Sequence, residues 1–501
     1  MTRQQRLTLV ATILGSTVVF LDSTVVNVAL PAIANGLDAG LAGQQWVVEA
    51  YMLTLVSLLL VGGSLGDQFG RREVFVVGLI AFGVCSVLCA VAPSVGFLIG
   101  ARALQGIAGA LLVPGSLAIV AATFEGAARG RAVGTWTAWT GIATVIGPAG
   151  GGALIGLTSW RAIFWVNIPL IAATVALTLH SVRESRDPDA FRGIDWSGIG
   201  LSAVGLGGPV FALIEQPTRG WGDPTVWIPL VVGIACFALF VLHEMRARHP
   251  MLDFALFRIR NFAVTNLTTL STYAGLIGGL FFIGLFLQQV SGYSPLEAGL
   301  ATTPVSLILF VLSPRWGKLA SGTGPRLPMT VGPIVGGIGL LLLLRVGSGA
   351  AYVADVLPGI VVFGLGLSAT VAPLTATVLD SVEERHVGVA SGINNAVSRV
   401  AGLLAIAVLG AVIAARFAAL APNVSGGPLT ADAASASTSA FHLGILIAGI
   451  LMIVGGIVSV IGIENPSRRT EAIPTRGAAA AGECGHGADA DQAAPEPAPS
   501  A

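Results

Sequence analysis

Fourteen long apolar runs constrain this chain more than any other feature. They cover about residues 7–31, 45–65, 74–92, 97–121, 133–157, 162–181, 196–215, 225–244, 261–289, 295–315, 327–346, 353–379, 389–417 and 441–463. A helix crossing a bilayer core needs ~20 apolar residues, and the runs are of about that length. Backbone inside lipid must satisfy its own hydrogen bonds. The runs therefore predict an all-α integral membrane protein with 14 transmembrane helices. Only 10% of residues are charged, against ~25% in a soluble domain. That excludes an ordinary soluble enzyme, a disordered chain and a nucleic-acid binder, which would need a basic face. Glycine (66) and proline (26) are abundant, as transmembrane helices tolerate. The first run is too long for a signal-peptide core, carries Asp22 and precedes no cleavage site, so it reads as a span.

The basic residues predict an orientation. With both termini placed in the cytoplasm, twenty of the 26 Lys and Arg fall on cytoplasmic loops or tails. Arg161, Arg219, Arg345 and Arg416 fall at outer ends, and Arg102 and Arg399 lie within spans. This is the bias of the positive-inside rule. The residues after Glu464 are rich in Ala, Gly and Pro and read as a disordered cytoplasmic tail. A single lysine, Lys318, amid heavy Ala, Gly and Arg use suggests a high-GC bacterial genome, and hence a bacterial cytoplasmic membrane.

Several enzyme-like patterns carry little. Gly62–Gly66 fits GxSxG but lies at the end of an apolar helix, not on a strand–turn–helix. His243-Glu244 opens like HExxH, yet position 247 is Ala. There is no P-loop, so ATP does not drive the protein directly. The cysteines Cys85, Cys89, Cys236 and Cys484 suggest neither a disulfide framework nor a metal site. No metal, no cofactor and no nucleic-acid partner is expected. A non-transporting sensor or a membrane enzyme is the alternative class.

Two halves of the chain echo each other. Gly63, Leu65, Gly70 and Arg72 recur as Gly317, Leu319, Gly324 and Arg326, and Pro114 recurs as Pro373. Gly130-x-Ala132-x-Gly134 recurs as Gly388-x-Ala390-x-Gly392. Asp67 becomes Ser321, so the second copy lacks the acid. The near-equal offsets predict two six-helix bundles, at residues 1–190 and 261–465. Residues 191–260 form two inserted helices with a linker, and 466–501 the tail. Parallel repeats place a substrate site between the bundles near the bilayer midplane.

Specific motifs sit on this frame. They are Leu21-Asp22-Ser23-Thr24-Val25-Val26-Asn27 through Pro31, the loop Gly63–Arg72, and Arg102-x-x-Gln105-Gly106. Two more are Gly141 with Gly147-Pro148-Ala149-Gly150-Gly151, and Trp160-Arg161 with Phe164 and Asn167-Ile168-Pro169. Over about residues 5–465 the chain resembles the fourteen-span drug:proton antiporters, the EmrB/QacA group of the major facilitator superfamily. The resemblance implies the major facilitator fold and export of small amphipathic drugs or antibiotics, driven by proton entry and conferring resistance. Export of an endogenous metabolite, lipid or siderophore is the alternative within that fold. A monomer in the lipid bilayer is expected.

Proton exchange needs an acid within the membrane, and intramembrane acids are functional by default. Asp22 is the leading candidate, with a structural hydrogen bond to a neighbouring helix as the alternative. Asp22 lies ~13 Å and Arg102 ~8 Å from the outer side at 1.5 Å per residue, which an arginine can bridge, so Arg102 is its expected partner. Gly63, Asp67, Gly70, Arg71 and Arg72 are the expected conformational latch, Asp67 capping a helix across the bundle interface. Gly141, Gly147, Pro148, Gly151 and Gly152 form the antiporter motif, where small residues let helices approach closely. Of the acids near span ends (Glu49, Glu215, Asp355 and Asp380), Asp355 is the best second ion site. A substrate pocket is expected from Asn27, Trp46, Tyr51, Trp136, Trp139, Phe281, Phe282, Gln288 and Asn395, for each of which core or lipid packing competes. Arg399 has no partner that the sequence identifies.

Overall fold

A computed structural model describes residues 1–186, 195–247, 254–383, 387–421 and 430–465, less the side chains of 60, 126, 127, 130, 138, 141–145, 387 and 388. The expected tail at 466–501 and part of the linker lie outside the described residues. Among the described residues fourteen long helices follow one another. The first six are α1 (Arg3–Leu37), α2 (Leu41–Phe69), α3 (Arg71–Ala90), α4 (Val95–Thr123), α5 (Gly126–Leu157) and α6 (Ala162–Ser181, broken at Val166). Next come α7 (Trp196–Arg219) and α8 (Pro224–Arg246). The last six are α9 (Arg260–Gln289), α10 (Pro295–Thr323), α11 (Arg326–Leu342), α12 (Leu357–Asp380), α13 (Val387–Leu420) and α14 (Ala431–Gly462).

Twelve of these helices, among the described residues, are long and apolar enough to cross a membrane, and the bent helix α2 makes thirteen. Helix α5 is 32 residues long, but much of its middle falls outside the described side chains. The chain is therefore a multi-span membrane protein of at least twelve spans.

Local sequence sets the helix starts. Thr2 and Gln5 form a capping box on α1, and Ser294 and Glu297 form one on α10, where Pro295 occupies the first turn. Ser94, Asp195, Asp223 and Thr430 cap α4, α7, α8 and α14. Such side chains satisfy amide donors that the helix itself leaves open.

The packing repeats between the two halves. In the first half α1 meets α5 and α6, α4 meets α2 and α3, and α3 meets α6; the same pairings recur eight helices later, among α9 to α14. Glycines permit the closest approaches. A side chain at Gly106 would strike the carbonyl of Tyr51, and one at Gly366 would strike the backbone of Gly336. Helices α7 and α8 pack on each other, and α7 also touches both α2 and α13. Leu206 and Val210 share a core there with Leu55, Leu403 and Ala407. Helix α7 thus covers the seam between α2 and α13, and the equivalent seam between α5 and α10 has no such cover among the described residues.

Between the halves, three hydrogen bonds are described. Gln45 Nε2 donates to the Ile406 carbonyl (2.8 Å), Gln288 Nε2 to the Val28 carbonyl (3.1 Å) and Gln289 Nε2 to Gln44 Oε1 (3.0 Å). Helices α5 and α10 approach backbone to backbone: an added carbon at Gly152 would lie 2.5 Å from the Pro295 carbonyl, and one at Gly299 would strike that of Pro148. All these contacts fall in the half of the molecule distal to the starts of α1 and α9.

Gly70 joins α2 to α3 at φ 120°, a backbone region that L side chains rarely adopt, and an added carbon there would lie 2.8 Å from the Glu184 carboxylate. Gly70→Ala is expected to cost about 1–3 kcal/mol through strain and collision, read as a lower Tm in detergent. Gly40→Ala, where an added carbon meets nothing within 4 Å, is expected to leave Tm nearly unchanged.

Candidate functional site

A carboxylate buried in a helix bundle is tolerable only if donors surround it. Asp22, 2% exposed on α1, has three. Arg102 Nη1 on α4 donates to its Oδ2 at 2.5 Å. Gln105 Nε2, one turn further along α4, donates to Oδ1 at 3.1 Å, and Asn167 Nδ2 on α6 donates to the same oxygen at 3.2 Å. Arg102 Nη1 also meets Gln105 Oε1 (2.7 Å), and its Nε donates to the Val47 carbonyl of α2 (3.1 Å). Its guanidinium carbon lies 4.1 Å from the centre of the Tyr51 ring, a cation–π distance.

The network extends into α3. Asn167 Nδ2 reaches Ser86 Oγ at 3.0 Å, and Ser86 Oγ donates to the Phe164 carbonyl at 2.9 Å. Arg102, Gln105, Asn167 and Ser86 are all enclosed. Five helices of the first half thus converge on one ion pair. Depth along the helices pairs Asp22 with Arg102 from sequence alone. Gln105 and Asn167 lie within the motifs, but spacing along one helix does not say which neighbour a side chain faces, so their contacts with Asp22 emerge only in the structure.

Helix α1 links this pair to α5. An added carbon at Gly151 would lie 2.5 Å from Val25 Cγ1, and one at Gly147 would strike Thr24. Both contacts lie within a turn of Asp22. The neighbouring positions Pro148 and Gly152 meet α10 across the halves. One stretch of α5 therefore touches the helix of the buried acid and the opposite half. Gly141 lies on α5, but its surroundings fall outside the described residues.

The loop residues are arranged within the first half. Asp67 pairs with Arg71 at 2.7 Å, one turn along. Glu184 accepts the N–H groups of Arg72 and Glu73, both at 3.1 Å, so a remote carboxylate caps α3. Arg72 Nε lies 3.7 Å from Glu184, and Gly63 packs near Pro114. Asp67 contacts its own helical neighbour in this conformation and reaches no helix of the second half among the described residues.

The expected pocket residues are dispersed. Trp46 Nε1 donates to Glu215 Oε1 at 3.0 Å and its ring tilts against Phe211, so it faces the inserted helix α7. Tyr51 lies under Arg102. Phe281 and Phe282 are enclosed in the core shared by the two halves. Trp136 is buried, donating to Ser16 Oγ at 3.2 Å and meeting Phe20 edge-on, while Trp139 is exposed. Gln288 bonds across to α1 as described above. Asn395 is exposed, and the enclosed Asn27 Oδ1 has no hydrogen-bond partner among the described residues. Asp355 Oδ2 accepts the Ala351 N–H at 2.8 Å at the entrance to α12.

Glu49 is, from sequence, one of the acids near span ends, and its position near the start of the second run predicts solvation at the membrane interface. It is instead fully enclosed, and neither carboxyl oxygen has a hydrogen-bond partner among the described residues. Four residues earlier Gln45 bonds across to α13, so this face of α2 lies between the halves.

Comparison with known proteins agrees with this architecture. Residues 12–406 match the sequence profile of the Major Facilitator Superfamily. The multidrug resistance protein Stp of Mycobacterium tuberculosis is 38% identical over 416 residues, covering 83% of this chain and 77% of Stp. The tetracenomycin C resistance and export protein of Streptomyces glaucescens is 36% identical over 422 residues, with the same coverage of each chain, 83% and 77%. Among solved structures, a bacterial homologue of the human lysosomal transporter Spinster superposes with a TM-score of 0.67 at 16% identity, covering 92% of this chain and 97% of that one.

The buried pair predicts a non-additive double mutant. Asp22→Asn or Arg102→Gln alone leaves an uncompensated partner in the core and is expected to cost about 3–5 kcal/mol. The double variant is expected to lower Tm by clearly less than the sum of the two singles. Thermal unfolding of the three purified variants checks this.

Proposed function

The chain belongs to the Major Facilitator Superfamily, a family of transporters and not of enzymes, and we propose that it exports small amphipathic drugs or antibiotics in exchange for protons. The proposed frame is two six-helix bundles and two inserted helices, fourteen spans in a bacterial cytoplasmic membrane, with both termini cytoplasmic. On that orientation the contacts between the halves close the outer side, and the conformation is inward-facing.

The observation that carries the reading is the enclosed, fully donated carboxylate of Asp22. A proton taken up there removes the charge that holds Arg102, Gln105 and Asn167, and α1 loosens from α4 and α6. The same turn of α1 rests on Gly147 and Gly151 of α5. Movement of α1 thus reaches the α5–α10 contact that closes the outer side. Apolar area and adaptable contacts between the halves suit amphipathic cargo. The loop around Asp67, docked on its own half here, is free to engage the opposite half when the inner side closes. The relatives' printed names, multidrug resistance and tetracenomycin C resistance and export, support the substrate class.

Everted membrane vesicles given a panel of amphipathic dyes and antibiotics test the proposal. The unaltered protein is expected to accumulate substrate when the vesicle lumen is acidified. Asp22→Asn is expected to lose gradient-driven accumulation while retaining measurable substrate binding. Normal gradient-driven transport by that variant would refute the assignment of Asp22.

A further inference from the structure

Arg399 is a cation within the membrane that the network around Asp22 does not use. It lies on α13, twelve residues past Val387, and so ~18 Å along the helix at 1.5 Å per residue. No ion pair to Arg399 is formed among the described residues. Its guanidinium carbon lies 6.0 Å from the centre of the Phe20 ring on α1, at the outer limit of a cation–π contact. Phe20 therefore cannot replace an acid. The side chain faces the opposite half of the molecule, beside the distal contacts that join α13 to α2.

Arg399 is also partly accessible. The seam between α2 and α13 is covered by α7, whose Leu206 and Val210 pack with Leu403 and Ala407, and Val400 lies against the same cluster. Asn395, one turn nearer the start of α13, is exposed. Ser398 and Val400 are only partly covered. Asn395 and Ser398 thus form a partly accessible polar approach along α13 to a guanidinium with no ion pair among the described residues.

The acids at comparable depth are not available to a cation. Asp22 is 2% exposed and holds three donors, and Glu49 is 0% exposed. The accessible charge at this level, among the described residues, is positive. A charge in a low-dielectric site must be paired, and an entering anion would complete the pair.

We propose that Arg399 is an anion-recognition subsite on the transport path, taking amphipathic molecules that carry a carboxylate, sulfonate or phenolate beside an aromatic or apolar body. The fork of N–H donors would hold the anionic group, with Phe20 against the ring system. This rests on the export reading above and narrows its substrate class.

The test is binding to the purified full-length protein by fluorescence anisotropy, with transport in everted vesicles as the second readout. The probes are a carboxylate-bearing fluorescein and a cationic rhodamine of the same ring system. A charge-assisted contact corresponds to roughly ten-fold or more in affinity. Arg399→Gln is expected to weaken the anionic probe by about that factor and to leave the cationic one within two-fold. Arg399→Lys is expected to recover much of the loss, which also guards against misfolding. Equal loss of both probes in Arg399→Gln, unchanged binding of the anionic probe, or no binding of it by the unaltered protein would overturn the proposal. Absence of gradient-driven transport of every probe, with anionic binding intact and dependent on Arg399, would instead count against the export reading alone.

Discussion

The ion pair between Asp22 and Arg102 is the contact on which the first half of the molecule is organised. A carboxylate and a guanidinium enclosed in a helix bundle are costly unless every donor and acceptor is matched. Here the matching recruits Gln105 from the same helix, Asn167 from α6, the Val47 carbonyl from α2 and, through Ser86, helix α3. Displacing any one of these helices would leave a buried polar group unpaired. The network therefore fixes how α1, α2, α3, α4 and α6 sit together, and a change of charge at Asp22 is felt by all of them.

The second constraint is the distal closure. It is made partly by three glutamine side chains reaching across to the opposite half and partly by glycine-to-backbone contacts between α5 and α10. Hydrogen bonds of this kind contribute only ~1 kcal/mol each, so a few can break and re-form within a transport cycle. The small residues matter because backbones at van der Waals distance leave no room for a leak. In the proposed cycle α5 is the coupling element, since adjacent residues on it touch both the helix of the buried acid and the gate.

Much of this was legible in the sequence, for identifiable reasons. Apolar runs of bilayer length read directly as helices, and a charge within such a run is conspicuous, so Asp22 and Arg102 stand out at depths that an arginine side chain can bridge. The repeat of Gly63 to Arg72 at Gly317 to Arg326 anticipated the recurrence of helix pairings. What failed to read out depends on which way a side chain faces. Aromatic residues in a span can line a pocket or fill a core, and Phe281 and Phe282 fill one. Trp46 faces the inserted helix, a contact across 169 residues of sequence that no local pattern encodes. Glu49 looked interfacial by its distance from the end of a run, yet packing of α2 encloses it. The sequence identifies no role for α7 and α8; in the structure α7 covers one seam between the halves.

In the proposed mechanism Asp22 is the group that exchanges a proton when substrate binds. Proton release from the detergent-purified protein on substrate addition, followed with a pH-indicator dye in weak buffer, tests it most directly. The unaltered protein is expected to release about one proton per bound substrate, as exchange at a single carboxylate would, and Asp22→Asn none. Undiminished release by Asp22→Asn, with substrate still bound, would contradict it.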